Sequence, residues 1–161
     1  MLYHMTRGDK EFKDHETKVK VLKSENYITL AMVDDGAPYL VPLSFAYDED
    51  KDRIYFHMAG KGRKLSVLKK NPNVWGMALQ DHGYHTKECS HLYASIMFKG
   101  KAVFIEDTDE KKHAFRIMAD HLEADLEARE RFANNENIPG TVVAYLDLDD
   151  WSGKKSEEVT I

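Results

Sequence analysis

Two runs of strand-forming residues separated by Asp34-Asp35-Gly36 constrain this chain more than any other feature. Residues 27–33 read YITLAMV and residues 39–47 read YLVPLSFAY. Asp and Gly both tolerate the positive φ of a tight turn, so an Asp-Gly pair between apolar runs is a strong hairpin signal. Pro42 cannot donate a ladder hydrogen bond, so the second strand is an edge strand or carries a bulge there. A polar turn over 48–52 leads to a third strand, residues 53–59 (RIYFHMA). Consecutive strands without intervening helices exclude a regular βαβ alternation, and with it a Rossmann sheet.

The remaining elements fall around this core. Residues 9–24 read as a helix with Val19 and Leu22 inward. Gly60-Lys-Gly-Arg-Lys64 opens a short helix through Leu65, Val67 and Leu68, which Asn71-Pro72 ends. Residues 73–80 form a fourth strand, and 91–106 a long strand or bent pair with Gly100 as its bulge. Asp107-x-x-Glu110 resembles a capping box before a helix that presents Phe115, Met118 and Leu122. A charged helical stretch, 125–133, is broken by Pro139-Gly140, and 141–148 returns as a strand. The expected fold is therefore α+β, a single domain over residues 1–161 built on an antiparallel β-barrel with flanking helices.

Composition narrows the function classes. At 161 residues with 42% hydrophobic content, the chain can bury a sizeable core. No apolar run approaches the roughly 18 residues of a membrane helix, and the start lacks the apolar stretch of a secretory signal. The single cysteine, Cys89, leaves no internal disulfide, so a cytoplasmic setting is expected, with no membrane partner. A net charge of −5 disfavours a general nucleic-acid binder. Yet the segment from Arg53 to Gln80 holds six basic residues and no acidic one, while the rest carries 17 basic and 28 acidic. Such a local excess marks a candidate anion site.

Gly60–Lys64 lies inside that segment. Its glycines permit close backbone approach, a helix start offers unpaired N–H groups, and Arg63 and Lys64 can grip phosphate as a fork and a point charge. A solvated turn is the plainer reading of the same residues. The stretch lacks the third glycine of a dinucleotide fingerprint, and the chain has neither a Walker loop nor a Gly-x-Ser-x-Gly elbow. His82, His85, Cys89 and His91 form a competing constellation of metal-ligand types, although their spacing matches no common zinc pattern and an exposed His-rich loop explains them as well. His57, on the third strand, reads equally as a satisfied barrel-wall histidine. Tyr47, Tyr55, Phe56, Trp75 and Tyr93 read as core or interface aromatics.

Taken together, residues 39–47, 53–59, Gly62-Arg-Lys-Leu65 and Asn71-Pro72 resemble the pyridoxamine 5′-phosphate oxidase-like FMN-binding split barrels. Within these they are most similar to the nitroimidazole-resistance, nitroimidazole reductase-like branch. Residues 93–102 and Trp151-Ser-Gly-Lys154 extend the likeness. The resemblance implies a six-stranded antiparallel split β-barrel and a homodimer with FMN at the subunit interface. It implies that Val41, Pro42, Leu43 and Ser44 run along the flavin ring, largely through backbone groups. It places ribityl and phosphate contacts on His57, Met58, Ala59, Lys61, Arg63 and Lys64, with Ser95 adding a hydroxyl. The implied activity is electron transfer to a small aromatic or nitro-bearing substrate, with NAD(P)H a candidate reductant and no catalytic acid or base assigned. A deazaflavin in place of FMN, and a non-enzymatic flavin or haem carrier, are the alternatives. The C-terminal substrate-phosphate residues of the oxidases have no match here, and residues 125–137 and the His-rich loop depart from the pattern, so they are expected to shape a different substrate pocket.

Overall fold

The computed structural model describes residues 5–148 and 150–161. After a 3-10 turn at Gly8–Lys10, the elements run β1 (Glu11–Phe12), α1 (His15–Lys23), β2 (Tyr27–Asp34), β3 (Ala37–Ser44), β4 (Ala46–Asp48), β5 (Arg53–Met58) and α2 (Arg63–Lys70). There follow β6 (Asn73–His85), β7 (Ser90–Lys101), β8 (Val103–Phe104), α3 (Thr108–Leu122), α4 (Leu126–Ala133), a second 3-10 turn at Ile138–Gly140, β9 (Val142–Asp147) and β10 (Asp150–Lys155). One sheet has six strands in the order β1-β10-β7-β6-β2-β3; the other has four, β4-β5-β9-β8. Every pairing is antiparallel. The expected α+β architecture, an antiparallel split barrel with flanking helices, is the one observed.

The hairpin that opens the sequence argument forms as read. Asp35 and Gly36 take φ of 48° and 85°, the two positive values that match the right-handed twist of β2 and β3. Pro42 faces Thr29 across the ladder, and β3 is the outer strand of its sheet, the place where a strand proline is tolerated. The run 39–47 does not stay one strand. It breaks at Phe45 and hands the chain from the six-stranded sheet to the four-stranded one, and so supplies the split between them.

Alternation decides what each face meets. Ile28, Leu30 and Met32 of β2 join Ile96 and Phe98 of β7 and Ile54, Phe56 and Met58 of β5 in the main core between the sheets. Gly76 is needed there: a Cβ at that position would sit 2.1 Å from the Phe98 ring, its neighbour across the ladder. Tyr55, on the opposite side of β5, packs with Ala114, Phe115 and Met118 of α3 in a second, smaller core. The other face of the six-stranded sheet remains open and apolar, with Leu40, Trp75, Leu79 and Met97 exposed.

Three local expectations change. The first helix starts at His15 rather than residue 9, because Asp14 caps it by accepting from Thr17 N–H at 2.7 Å and Glu11–Phe12 pairs instead with β10. Gly100 sits in regular register opposite Val74, and the bulge falls between Asp81 and Tyr84, where Gly83 takes φ +87°. The His-rich connection is mostly a two-stranded extension of β6 and β7 that carries His82, His85 and His91, with Cys89 in the turn over 86–89. Among the described residues, no helix is long and apolar enough to cross a membrane.

Candidate functional site

α2 starts without a side-chain cap. Its N-cap is Gly62, at φ 130° and ψ 167°, a conformation that costs any Cβ-bearing residue strain. Ser66 N–H reaches back to the Gly62 carbonyl at 3.1 Å, so the turn is formed while its leading N–H groups have no side-chain acceptor. Nothing lies within 4 Å of where a Gly60 or Gly62 Cβ would stand, so the approach is open.

The cations around this start are unequal. Arg63 donates from Nε to Asp34 at 2.8 Å, and its guanidinium lies 4.2 Å from the centre of the Tyr39 ring. Lys64 is half-buried, and burial lowers its pKa below the ordinary lysine value; among the described residues it has no ion pair. Lys61 is exposed on the turn beside Gly60.

The acid-free window of the sequence is therefore only partly cationic in space. Arg53 is bound by Asp147 and Glu110, Arg63 by Asp34, and Lys70 by Asp35 at 3.5 Å. Turn residues read only for their backbone, Asp34 and Asp35, fold back onto the helix. Lys61, Lys64 and Lys69 remain without acidic partners among the described residues.

His57 is the penultimate residue of β5, near Lys64 of α2. Its ring turns to the side of Tyr55, toward α3, and lies 5.4 Å from the Phe115 ring. Nδ1 is buried without a hydrogen-bond partner, the one such side-chain atom among the described residues. Leaving a buried polar atom unpaired costs about 1–3 kcal/mol. Burial, and secondarily the nearby charge of Lys64, lower the His57 pKa, so the imidazole is neutral above its ordinary value of 6.5. A cavity of 170 Å³ opens next to it, walled by Phe115, Phe132, Asn135, Asn137, Ile138 and Thr141.

The other expected site residues distribute around these two features. Met58 is buried in the main core, and Ala59 is exposed just beyond β5. On β3, Leu43 and half-buried Val41 point inward, while Pro42 and Ser44 lie on the open face opposite Thr29 and Tyr27. Ser95 is on β7, on the same side as exposed Met97, and donates to the Lys154 carbonyl at 3.3 Å. Two strands, β6 and β2, separate β7 from β3, which places Ser95 roughly 14 Å from the β3 row in the same chain. Within one chain the Lys64 charge bears on His57 and Arg63 reaches the β2–β3 hairpin, while Ser95 lies apart from both.

Sequence reasoning missed Tyr39, Asp34 and Phe115 as neighbours of these groups. Two of them come from the β2–β3 hairpin and one from α3, so no spacing along the chain links them. The rival metal constellation is not assembled: Tyr84 pairs with His91 and His85 with Ser90 along an exposed hairpin. Among the described residues, no three His, Cys, Asp or Glu side chains are grouped to hold an ion.

A phosphate-bearing group fits the α2 start, because open N–H groups, a glycine that no side chain crowds, and a lysine without an acid all converge there. Its terminal phosphate would meet Arg63 and Lys64 after displacing, or sharing, Asp34.

Residues 14–155 match the family described as pyridoxamine 5′-phosphate oxidase. No curated protein sequence matches the chain. Among solved structures, a putative 5-nitroimidazole antibiotic resistance protein from Bacteroides thetaiotaomicron is similar at 27% identity and TM-score 0.73, covering 89% of this chain and 85% of that one. The flavocytochrome Anf3 from Azotobacter vinelandii superposes at TM-score 0.81 with 23% identity, covering 98% of this chain and 75% of its own. A FAD- and heme-binding protein from Mycobacterium smegmatis does so at TM-score 0.78 with 22% identity, covering 94% and 76%.

Proposed function

The chain belongs to the pyridoxamine 5′-phosphate oxidase family, and from that premise we propose that it is a homodimeric FMN-binding oxidoreductase acting on a small aromatic or nitro-bearing acceptor. FMN is the typical cofactor of this family. The observation that carries the reading is the uncapped, glycine-led start of α2, where among the described residues Lys64 lacks an acid and Arg63 is held by Asp34 alone. Arg63 grips the phosphate through its guanidinium fork, Lys64 adds a point charge, and Lys61 raises the local potential. Strand β3, with one edge of its backbone unpaired, runs along the ring through Val41, Pro42, Leu43 and Ser44.

Dimerisation completes this arrangement. Leu40, Trp75, Leu79 and Met97 are exposed on one face of the six-stranded sheet, and a cluster of large apolar side chains in water is the kind of surface that a partner covers. Burying it against a second copy brings a second β7, and so a second Ser95, toward the first chain's β3. Bound there, FMN supplies the redox chemistry that no side chain can, taking electrons from a donor such as NAD(P)H and giving them to the acceptor. The chain's own residues bind, orient and shield it.

The test is a titration of Arg63→Ala/Lys64→Ala with FMN and with riboflavin, which lacks the phosphate. Removing two charge-assisted hydrogen bonds should weaken FMN by roughly 100-fold and leave riboflavin nearly unchanged. An equal drop in affinity for both ligands defeats the phosphate assignment.

A second reading, a flavin or haem carrier without turnover, is favoured by the likeness in fold to the flavocytochrome and to the FAD- and heme-binding protein. Bound flavin that NAD(P)H never bleaches in the presence of a nitroaromatic acceptor would select it.

A further inference from the structure

The cavity beside His57 has the dimensions of a site in its own right. It measures 170 Å³, close to the roughly 150 Å³ of an apolar protein cavity that holds a benzene. A single ring would fill it, and a three-ring isoalloxazine or a porphyrin is larger than the space itself. Three aromatic rings bound it in series, in two tilted pairs: His57 to Phe115 at 5.4 Å, and Phe115 to Phe132 at 6.0 Å. Such faces favour a flat ring as occupant.

Polarity narrows the occupant further. His57 Nδ1 is buried and unpartnered at the wall, so it awaits one hydrogen bond. The Thr141 hydroxyl is already spent on the Asn137 carbonyl at 3.1 Å, and Asn135 Oδ1 accepts from Asn137 N–H at 2.8 Å. The Asn137 carboxamide has no such commitment among the described residues. Among the described residues no carboxylate lines the cavity, and the nearby charge of Lys64, which acts on His57, disfavours a cation. The outer wall is Phe132, half-exposed on α4, a helix tied to α3 by the Arg116–Glu130 pair at 2.5 and 2.9 Å.

We propose that the pocket formed by His57, Phe115, Phe132 and Asn137 binds a flat, uncharged, single-ring molecule that hydrogen-bonds to His57 Nδ1. Phe132 on α4 forms its outer wall, which makes residues 126–137 the segment that sets ring size. The inference deepens the reading above by giving the acceptor its size and polarity, and it rests on that reading only for the ring's redox fate.

The experiment is nitrogen-detected NMR of the His57 imidazole in the full chain, with and without FMN, using phenol, toluene and lumichrome as probes. Phenol is expected to shift Nδ1 saturably, and toluene, which has the ring but no donor, to bind about tenfold more weakly. Lumichrome, with three fused rings, should not displace phenol. His57→Phe keeps an aromatic wall without Nδ1, and calorimetry should then show phenol reduced to the affinity of toluene. Phe132→Ala, at a half-exposed position the fold tolerates, should weaken both single-ring probes. Equal binding of phenol and toluene, displacement by lumichrome, or an unmoved Nδ1 overturns the proposal. Failure of phenol while FMN still binds removes this pocket alone; failure of FMN while phenol binds removes the flavin reading alone.

Discussion

The two ends of β5 carry the same kind of charge and use it differently. At the first end, Arg53 is 17% exposed, donates to Asp147 at 2.7 Å and to Glu110 at 3.0 Å, and lies 3.5 Å over the Tyr145 ring. Those contacts tie β5 to β9 and α3. At the far end, Arg63 is 62% exposed with a single carboxylate, and among the described residues Lys64 has none and His57 Nδ1 has no partner. A fold satisfies the polar groups it uses for its own stability. Groups it leaves unsatisfied mark where something else is to be received.

The contrast makes measurable claims. Arg53→Ala takes the cation from Asp147 and leaves Glu110 only Lys51 at 3.8 Å, and should cost about 2 kcal/mol in urea unfolding, with FMN affinity unchanged. Arg63→Ala, at an exposed pair, should cost less than about 0.5 kcal/mol yet weaken FMN about tenfold. Comparable unfolding penalties for the two would erase the distinction between the ends. A smaller effect is expected of Asp34→Asn. Its carboxylate competes with phosphate for Arg63, so removing the charge should tighten FMN by a few-fold, read by fluorescence titration; weaker binding would mean that Asp34 orients Arg63 instead of competing for it.

The smallest effect is on pH dependence. Burial holds the His57 pKa below 6.5, so as pH falls the unfolded chain takes up this proton before the folded one. Stability from this group is therefore present above 6.5 and is lost as pH drops through the folded pKa. His57→Gln should flatten the fall in Tm with acidification between about pH 7.5 and 5 relative to the parent chain. Identical slopes would show that the folded environment does not disfavour the charged ring.

Much of the fold was legible because its signals are local. Asp35-Gly36 specifies the hairpin through φ alone, Asp107 caps α3 by accepting from Glu110 N–H at 2.8 Å, and Asn71-Pro72 stops α2. The misreadings share a cause. The chain before His15 pairs with a strand at the opposite end of the sequence, and Phe45 divides a continuous apolar run because two sheets compete for its ends. Leu122, on the expected apolar stripe of α3, is 38% exposed because α3 is covered over only part of its length. Neither pairing partners nor coverage can be read from a local window.

The site divides in the same way. Residue order alone determined that a glycine-led helix start would carry Arg63 and Lys64, since backbone freedom and side-chain type travel with the sequence. Only tertiary structure decided that Asp34 would neutralise one of them, that Lys64 would be left alone, and that His57 would turn from β3 toward Phe115 and a ring-sized cavity. Charge and hydrogen bonding act through space over a few ångströms, and separation along the chain does not measure that distance.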